Sequence, residues 1–438
     1  MPPEIPPKVM CAAPSYLQEK IEKVKGMPPG HIFNLYAPMW VREDFQSTHG
    51  GKNEIKWQIA ENIDKKEGRW DPATRNKPLL RESRMGGKAE TLLQTAQSFS
   101  SEVEKLKENL IKRQISSAQI LGAFVIPCEL NAPMATGLGN EHPVENGFAF
   151  LSPYGLPYIA GSGVKGALRH AAEMMALFGA EYGVEDFCIL DVWWLFGFEG
   201  TGASYWQCSK KEFKDQSYID KMKEQAEKLK ARHEEFYNFA KCVGINEKAF
   251  ESLIENLASG TKATVESISY RGALTFWDAF PDCNKMAVEI MTPHYSHYYQ
   301  KDKPPHDSGQ PNPIQFIAVP AGSKMNLVIQ CDETRLPKML KWRDLCAKII
   351  EFASRWQGLG SKTAIGYGDF SIDNSAMEKS RKKAEEDEQA RFDAARKAAM
   401  KPEEVKIEEF RQAFEAIKEK EKRSEEHTSE LQSRYVIS

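Results

Sequence analysis

The pattern of apolar and polar residues predicts a strand, a glycine-rich loop and a helix in the middle of the chain. Ile120–Cys128 (ILGAFVIPC) is a short continuous apolar run, which is typical of a buried strand. A glycine-rich stretch, Thr136–His170, follows it, and its last residues open an apolar set at helical spacing. That set consists of Val164, Leu168, Ala171, Met175 and Phe178.

Strand and helix patterns return in the second half of the chain. The predicted elements are strands at Ile268–Phe280 and Met286–Ile290, a β-hairpin over Gln315–Cys331 that turns at Ala321–Gly322, and a helix over Leu336–Trp356. A second glycine loop, Gly358–Phe370 (GLGSKTAIGYGDF), leads from that helix into a last strand. The chain is therefore predicted to be an α+β protein.

Three charged segments are predicted to be helical. Glu90–Ile115 has the composition of a solvent-facing helix, and Ser209–Ser259 has that of an inserted helical hairpin closed by Ala249–Leu257. The amphipathic face of the hairpin is expected to dock on its own domain. Ser380–Lys422 is a charge-balanced run that predicts an exposed C-terminal helix.

These segments give the expected domain organisation. The divisions are an N-terminal extension at 1–117, a core domain at 118–372 with the insertion at about 209–259, a charged helical tail at 373–422, and residues 423–438. Arg423–Ser433 (RSEEHTSELQS) is similar to the translated product of a sequencing adapter and is left out of the fold prediction.

Composition and charge narrow the function classes. The 438 residues carry a net charge of −3, so any nucleic-acid surface must be local. The eight cysteines show no zinc-site spacing, which indicates reduced thiols, a cytoplasmic protein and no metal or other cofactor. No apolar run approaches the length of a membrane span, so no membrane association is expected.

The first glycine loop is a candidate phosphate-binding site. Ser162 occupies the position expected of an N-cap, and Lys165 and Arg169 follow within two turns. Free amides at a helix N-terminus together with fixed cations suit a phosphate backbone. The alternative is a plain connecting turn. The candidate RNA-binding residues here are Asn140, His142, Ser162, Gly163, Lys165 and Arg169.

The second glycine loop contains Gly360-Ser361-Lys362-Thr363, which does not match a nucleotide-binding phosphate loop, because such a loop has Gly directly before Lys and joins a strand to a helix. Flexible backbone amides beside a lysine still suit an extended RNA strand, with a base stacked on a tyrosine. A tight helix-to-strand turn explains the glycines equally well. The candidates here are Gly360, Lys362, Thr363 and Tyr367.

Thr292–Pro313 is a Pro-rich loop that contains histidines and tyrosines. His294 could move protons during RNA cleavage, and Tyr295 could stack on a strand, but a packed surface loop is the simpler interpretation. Asp191, Asp278 and Glu289 lack the paired spacing of a two-metal nuclease. We therefore assign no catalytic residue and expect no enzyme activity.

Five motifs in this order resemble the RAMP superfamily. They are TGLGNEHPVENGFAF, YGLPYIAGSGVKGALR, GALTFWDAFP, DCNKMAVEIMTPHYSHYY and GLGSKTAIGYGDF. Within the superfamily they are most similar to the sixth-subunit family of the type III-B Cmr complex, a CRISPR RNA-guided effector. The resemblance covers about Ile120–Phe370 and leaves out the first hundred residues and the charged insertion.

The resemblance implies a ferredoxin-like (RRM-like) core and a non-catalytic backbone subunit. Such subunits hold the guide CRISPR RNA near its 3′ end, flank its duplex with target RNA and contact other RAMP subunits. Gly161–Arg169 and Gly358–Gly368 match the family's two RNA-lining loops. His294 matches a position of a family motif that has no known catalytic role.

Two alternatives to this guide-binding hypothesis stay open. One is a metal-independent RNA endonuclease of the guide-processing RAMP type that uses His294. The other is a protein-only scaffold in which the glycine loops are purely structural.

Overall fold

The computed structural model describes residues 9–10, 26–37, 40–45, 54–59, 88–179, 187–199, 216–244, 269–292, 313–338 and 340–399, together with residues 248, 252 and 418. The chain divides into two units, residues 1–381 and 382–438. Every contact reported below lies within the first unit. No helix in the described ranges is both long enough and apolar enough to cross a membrane.

The described helices are α1 (Pro29–Asn34), α2 (Lys88–Thr95), α3 (Ser101–Ile120), α4 (Gly161–Phe178), α5 (Ile189–Phe196), α6 (Gln216–Ala231), α7 (His233–Val243), α8 (Trp342–Trp356) and α9 (Asn374–Ala399). The described strands are β1 (Val9–Met10), β2 (Trp40–Phe45), β3 (Glu54–Ile59), β4 (Phe124–Leu130), β5 (Phe150–Leu151), β6 (Leu156–Pro157), β7 (Gly197–Glu199), β8 (Ser269–Arg271), β9 (Leu274–Phe276), β10 (Ala287–Met291), β11 (Ile314–Ala318), β12 (Lys324–Cys331) and β13 (Phe370–Ile372). The predicted mixture of helices and strands is confirmed.

The centre of the first unit is an antiparallel sheet with the strand order β13–β4–β12–β9. Along the chain its strands and the two helices that pack on one of its faces follow as β4, α4, β9, β12, α8 and β13. Residues of β4 alternate between the two faces, as a strand requires. Phe124 and Ile126 are buried in the main core with Leu168 of α4 and Ile349 of α8, so both helices cover the same face.

The opposite face of the sheet is covered by α3. Val125 and Val328 are buried there against Ala118 of this helix.

The predicted single helix over Glu90–Ile115 is wrong in one respect, because α2 and α3 are separate helices. The Oγ of Ser100 accepts a hydrogen bond from the N–H of Val103 at 3.3 Å and caps the start of α3.

The predicted hairpin over Gln315–Cys331 is wrong. Strand β11 pairs with β10, whereas β12 pairs with β4 and β9. Adjacent residues of β12, Leu327 and Val328, are both buried, so this strand needs cover on both faces, which an isolated hairpin does not provide. The turn at Ala321–Gly322 therefore carries the chain from one sheet to the other.

Two further predicted boundaries differ from the structure. The strand over Ile268–Phe280 is split into β8 and β9, because Ala273 donates its N–H to the carbonyl of Trp194 at 3.0 Å instead of to a strand. The helix predicted from Leu336 begins only at Trp342, because Leu336 precedes Pro337 and has an extended backbone, with φ −103° and ψ 150°.

The described part of the inserted segment forms two consecutive helices, α6 and α7, which we call the inserted hairpin. Its apolar side chains Ala226, Leu229, Phe236 and Phe239 are fully buried in the main core. The prediction that its amphipathic face docks on its own domain is confirmed. The closing helix predicted at Ala249–Leu257 lies outside the described residues except for residue 252.

Polar groups also anchor the inserted hairpin. The side chain of Gln225 is fully buried; it donates to the carbonyl of Ala176 at 2.5 Å and accepts from the N–H of Ile189 at 3.1 Å. Arg232, between the two helices, donates to both carboxylate oxygens of buried Asp191 at 2.9 and 3.0 Å. Asp191 also accepts a hydrogen bond from the N–H of Cys188, the N-cap of α5, at 3.0 Å. The carboxylate therefore caps this helix and is not part of a metal site.

Candidate nucleic-acid interface

Helix α4 begins at Gly161, and its N-cap is Ala160 rather than the predicted Ser162. Glycine is required there because a Cβ would lie 2.2 Å from the carbonyl oxygen of Phe276. The N–H of Gly161 donates to Oδ1 of Asp278 at 2.7 Å. A carboxylate from a distant segment therefore replaces the expected cap, and one amide of the helix terminus is already bonded within the chain.

The outer face of α4 leaves its backbone bare. Ser162, Gly163 and Gly166 are exposed. Among the described residues, a Cβ on Gly166 would meet no heavy atom within 4 Å, and one on Gly163 would meet only Ile159, at 3.8 Å. A glycine inside a helix is about 1 kcal/mol less favourable than alanine. Internal packing therefore gives no reason for these two glycines, and the open space admits a ligand close to the helix axis.

Positive charges flank this bare face. Lys165 is half-buried, and its pKa is lowered by burial and by the positive charges of Arg169 and Arg271. Arg169 donates from Nε to Oε1 of Glu173 at 2.9 Å. Within the described part of the chain no carboxylate forms an ion pair with Lys165 or Arg271. The cluster therefore has surplus positive charge, which an anion would neutralise.

Arg271 is the member of this cluster that the sequence did not reveal. It ends strand β8, is exposed, and lies opposite Gly197 of β7. No sequence spacing links it to Lys165, since more than one hundred residues and a strand pairing separate them. The one feature of the sequence that could have suggested a role for Arg271 is its position at the end of a predicted strand segment, directly before Gly272.

Asn140 and His142, the two candidates on the rim of the first loop, differ in how free their side chains are to contact a ligand. Asn140 is exposed, and its backbone N–H donates to the carbonyl of Gly137 at 3.0 Å. His142 is stacked on Phe33 with 3.9 Å between ring centroids. Its Nδ1 accepts from the N–H of Val144 at 3.2 Å, and its Nε2 lies 2.9 Å from the carbonyl of Phe33. Burial lowers the pKa of His142, so a neutral packed ring is favoured there.

The second glycine loop packs on the residues that precede the first. Ser361 donates its N–H to the carbonyl of Ala135 at 2.7 Å, and Gly368 donates to that of Pro133 at 2.8 Å. Gly360 has φ of +90°, and a Cβ there would lie 2.4 Å from the carbonyl oxygen of Ala135. The two loops therefore meet at Ala135, and half-buried Thr363 opens the 3-10 turn beyond this contact.

The polar side chains of the second loop are held by neighbouring strands. Lys362 has a left-handed backbone, φ 62°, and its Nζ lies 5.6 Å above the ring of Phe316 and 3.5 Å from Sδ of Met291. Tyr367 donates its hydroxyl to Oε2 of Glu289 at 3.0 Å. Lys362 and Lys165 therefore have different neighbours, although the loops that carry them touch.

Two candidates cannot be placed. His294 and Tyr295 lie outside the described residues. Among the residues that are described, no group of three or more His, Cys, Asp or Glu is placed to hold a metal ion. Asp278 caps α4 and Glu289 accepts from Tyr367, so each of these carboxylates has a local structural role.

Comparison with known proteins agrees with the motif resemblance. Residues 128–371 match the family model described as the RAMP superfamily. The chain is 26% identical over 255 residues to the CRISPR system Cmr subunit Cmr6 of Pyrococcus furiosus. That alignment covers 54% of this chain and 64% of the relative, so the chain spans slightly less than two thirds of the length of this curated relative.

Solved structures are similar to the chain at lower sequence identity. A cryo-EM structure of the type III-B Cmr-beta bound to cognate target RNA aligns with 66% of this chain and 71% of its own chain, at 15% identity and a TM-score of 0.36. The crystal structure of Cmr6 from Pyrococcus furiosus aligns with 57% of this chain and 97% of its own, at 22% identity and a TM-score of 0.26.

The family-model match runs from the middle of β4 into β13 and includes both glycine loops, α4, α8, β9 and β12, together with parts of the other two strands of the central sheet. It covers more than half of the 438 residues. The resemblance noted from the motifs is thereby confirmed: the chain belongs to the RAMP superfamily.

Proposed function

We propose that the chain is a non-catalytic, guide-RNA-binding structural subunit of a type III-B CRISPR effector complex. In this proposal it contacts the backbone of the guide RNA near its 3′ end, flanks the duplex of guide and target RNA, and contacts other RAMP subunits. The proposal draws on the superfamily membership and on the similarity to the Cmr6 protein of Pyrococcus furiosus.

The observation that carries the RNA-binding part is the bare face of α4. Gly163 and Gly166 have no packing role within the described residues, and Lys165, Arg169 and Arg271 surround them with surplus positive charge. An RNA phosphate can approach a helix backbone closely only where side chains are missing. Glycines beside cations provide that approach.

The expected chemistry is recognition of the RNA backbone without reading of bases. A guide-binding subunit must accept any guide sequence, so its contacts fall on phosphates and 2′-hydroxyls. Asn140, Ser162, Lys362, Thr363 and Tyr367 lie on the same two loops or their rims and are proposed as further contacts. His142 is proposed to position the first loop, because both of its ring nitrogens have backbone partners.

We further assign the core to the ferredoxin-like (RRM-like) class. The order β4, α4, β9, β12, α8, β13 is a βαββαβ sequence, and the sheet order places the fourth strand beside the first and the third beside the second. This arrangement supports the assignment, with the inserted hairpin and the N-terminal segment as additions to the core.

The test is RNA binding by the full-length chain across a salt series. Lys165→Glu and Arg271→Glu are expected to weaken binding of single-stranded RNA about equally for unrelated sequences, and each should reduce the salt slope by about 1. Lys348→Glu, an exposed lysine on α8, is the control. Equal affinity of all four proteins at every salt concentration would refute the assigned interface.

The non-catalytic part has its own test. Repeat-derived RNA is incubated with the wild-type chain and with His294→Ala in EDTA. The proposal expects no cleavage by either protein. Specific cleavage that His294→Ala abolishes would establish the endonuclease alternative instead.

A further inference from the structure

A cavity of about 500 Å³, which we call the sheet-face cavity, lies on the face of the central sheet that α3 covers. Residues of β4, β12 and β13 line it, together with Ile111 of α3 and Phe280. Neither glycine loop contributes to its described walls. Its occupant is therefore a separate question from the RNA that those loops are proposed to bind.

The cavity exists because α3 covers this face of the sheet only in part. Val125 and Val328 lie opposite each other and are buried under the helix. Further along the same two strands, Glu129 lies opposite Lys324, and both side chains are exposed. Both pairs belong to one face, since side chains of a strand alternate between faces. The apolar part of this face therefore ends before the sheet does, and a polar part stays open to solvent.

Negative charge is in excess in the sheet-face cavity. The described walls contain three carboxylates, Glu129, Asp282 and Asp373, and one lysine, Lys324. Asp282 is paired with buried Lys107, whose Nζ lies 2.7 Å from its Oδ1, and is left out of the count. Glu129, Asp373 and Lys324 are exposed, and within the described ranges none of them forms an ion pair. Two accessible carboxylates beside one lysine favour a cationic ligand.

The remaining walls favour a ligand with an apolar stem. Ile111, Pro127 and Phe280 are half-buried and line the same space. Long basic side chains bury their aliphatic part against apolar surface and keep the charged head in a polar environment. The combination of apolar walls and accessible carboxylates therefore fits a lysine or an arginine better than a small inorganic cation.

The spacing of the carboxylates favours arginine over lysine. Asp373 donates its N–H to the carbonyl of Pro127 at 3.1 Å, so Glu129 is its diagonal neighbour across the two strands. Side chains at diagonal positions are about 7–8 Å apart. A planar guanidinium presents five donors in two directions and can bridge two carboxylates at this spacing, whereas an ammonium group is a compact point charge.

An RNA strand is disfavoured at this face. Each phosphate of the strand is negative, and the excess charge of the walls repels it. The positive cluster of Lys165, Arg169 and Arg271 belongs to α4 and β8, and α4 packs on the other face of the sheet. The charges of the two faces therefore suit different partners.

We propose that the sheet-face cavity docks an arginine side chain of a protein partner. The guanidinium pairs with Glu129 and Asp373, and the aliphatic stem lies against Ile111, Pro127 and Phe280. The chain then holds a protein on the side of the sheet away from α4. This docking does not depend on RNA binding by α4, so either can fail without the other.

The test is ligand-observed NMR with the full-length chain and two blocked tripeptides. One has an arginine between two alanines, and the other has the neutral isostere citrulline in its place. The wild-type chain is expected to bind the arginine peptide at least about threefold more tightly. Glu129→Gln and Asp373→Asn should each weaken that binding by about threefold, and Lys324→Gln should strengthen it by a similar factor.

The variants are chosen to preserve the fold. Asparagine keeps the cap that Oδ1 of Asp373 provides for the N–H of Ala376 at 2.9 Å, and Glu129 and Lys324 are exposed. Glu108→Gln, an exposed position of α3 outside the described walls, is the control and should bind the arginine peptide as the wild type does.

Three results would overturn the proposal. The first is equal binding of the two peptides, or no binding of either, by the wild-type chain, a comparison that needs no variant. The second is a loss in Glu108→Gln as large as that in Glu129→Gln, which would indicate attraction by overall charge only. The third comes from RNA filter binding: tighter binding by Glu129→Gln and weaker binding by Lys324→Gln would make this face an RNA surface, whereas docking of a protein leaves both unchanged.

Discussion

The bare face of α4 leads to an unusual expectation for Gly166→Ala: the variant is more stable and binds RNA less well. The residue is helical and a Cβ there meets nothing within 4 Å, so alanine fits without strain. Replacing a helix-interior glycine by alanine stabilises by about 0.5–1 kcal/mol. The same methyl group stands where a phosphate would approach, and loss of one charge-assisted contact costs RNA affinity about tenfold.

Urea unfolding of the full-length chain measures the first effect, and filter binding of a single-stranded RNA measures the second. Ser117→Ala is the matched control, because it raises helix propensity by a similar but smaller amount in α3, on the other face of the sheet. It should stabilise without changing RNA affinity. If Gly166→Ala is stabilised and binds RNA as the wild type does, α4 is not the contact surface.

Three further predictions concern stability and reactivity. Arg232→Ala removes both bonds to buried Asp191 and is expected to cost about 3–5 kcal/mol in urea unfolding. Burial raises the pKa of Asp191 above its ordinary value, and without Arg232 nothing offsets the cost of burying its charge, so protonation of Asp191 favours the folded state. The loss of unfolding free energy in Arg232→Ala should therefore shrink as the pH falls, and a loss that does not depend on pH would contradict this. Gly360→Ala forces a Cβ against the carbonyl oxygen of Ala135 at positive φ and is expected to lower the melting temperature, whereas an unchanged value would show that the loop is free of that contact. Cys242 is the exposed one among the six thiols described, so it should react with a thiol reagent well before the buried thiols Cys128, Cys188, Cys283 and Cys346 in the native protein; peptide mass spectrometry that finds any of these four modified as fast as Cys242 would contradict their burial.

Local patterns in the sequence were sufficient for the elements of the core. The last five residues of the apolar run Ile120–Cys128 lie in β4, although its first four are the end of α3 and the turn after it. The periodic set after Gly161 is α4, and the second glycine loop leads into β13 as predicted. Each of these depends on neighbouring residues only, which is why periodicity and composition were enough.

Pairings between distant segments were not predictable in the same way. The hairpin over Gln315–Cys331 had the correct strands but the wrong partners, because strand partners are chosen by burial of both faces in the finished sheet. Ser162 had the right residue type for an N-cap, but Asp278 arrives from 117 residues away and takes the amide of Gly161. Arg271 reaches Lys165 only through the same tertiary arrangement.

The buried amide of Gln225 means that the inserted hairpin is not a detachable accessory. Its two hydrogen bonds satisfy a carbonyl at the end of one core helix and an N–H at the start of the next. A shortened protein without the hairpin would expose a large aromatic surface. It would also leave the carbonyl of Ala176 and the N–H of Ile189 without their hydrogen-bond partner beside apolar side chains. A shortened version of this protein made for expression should therefore be cut elsewhere.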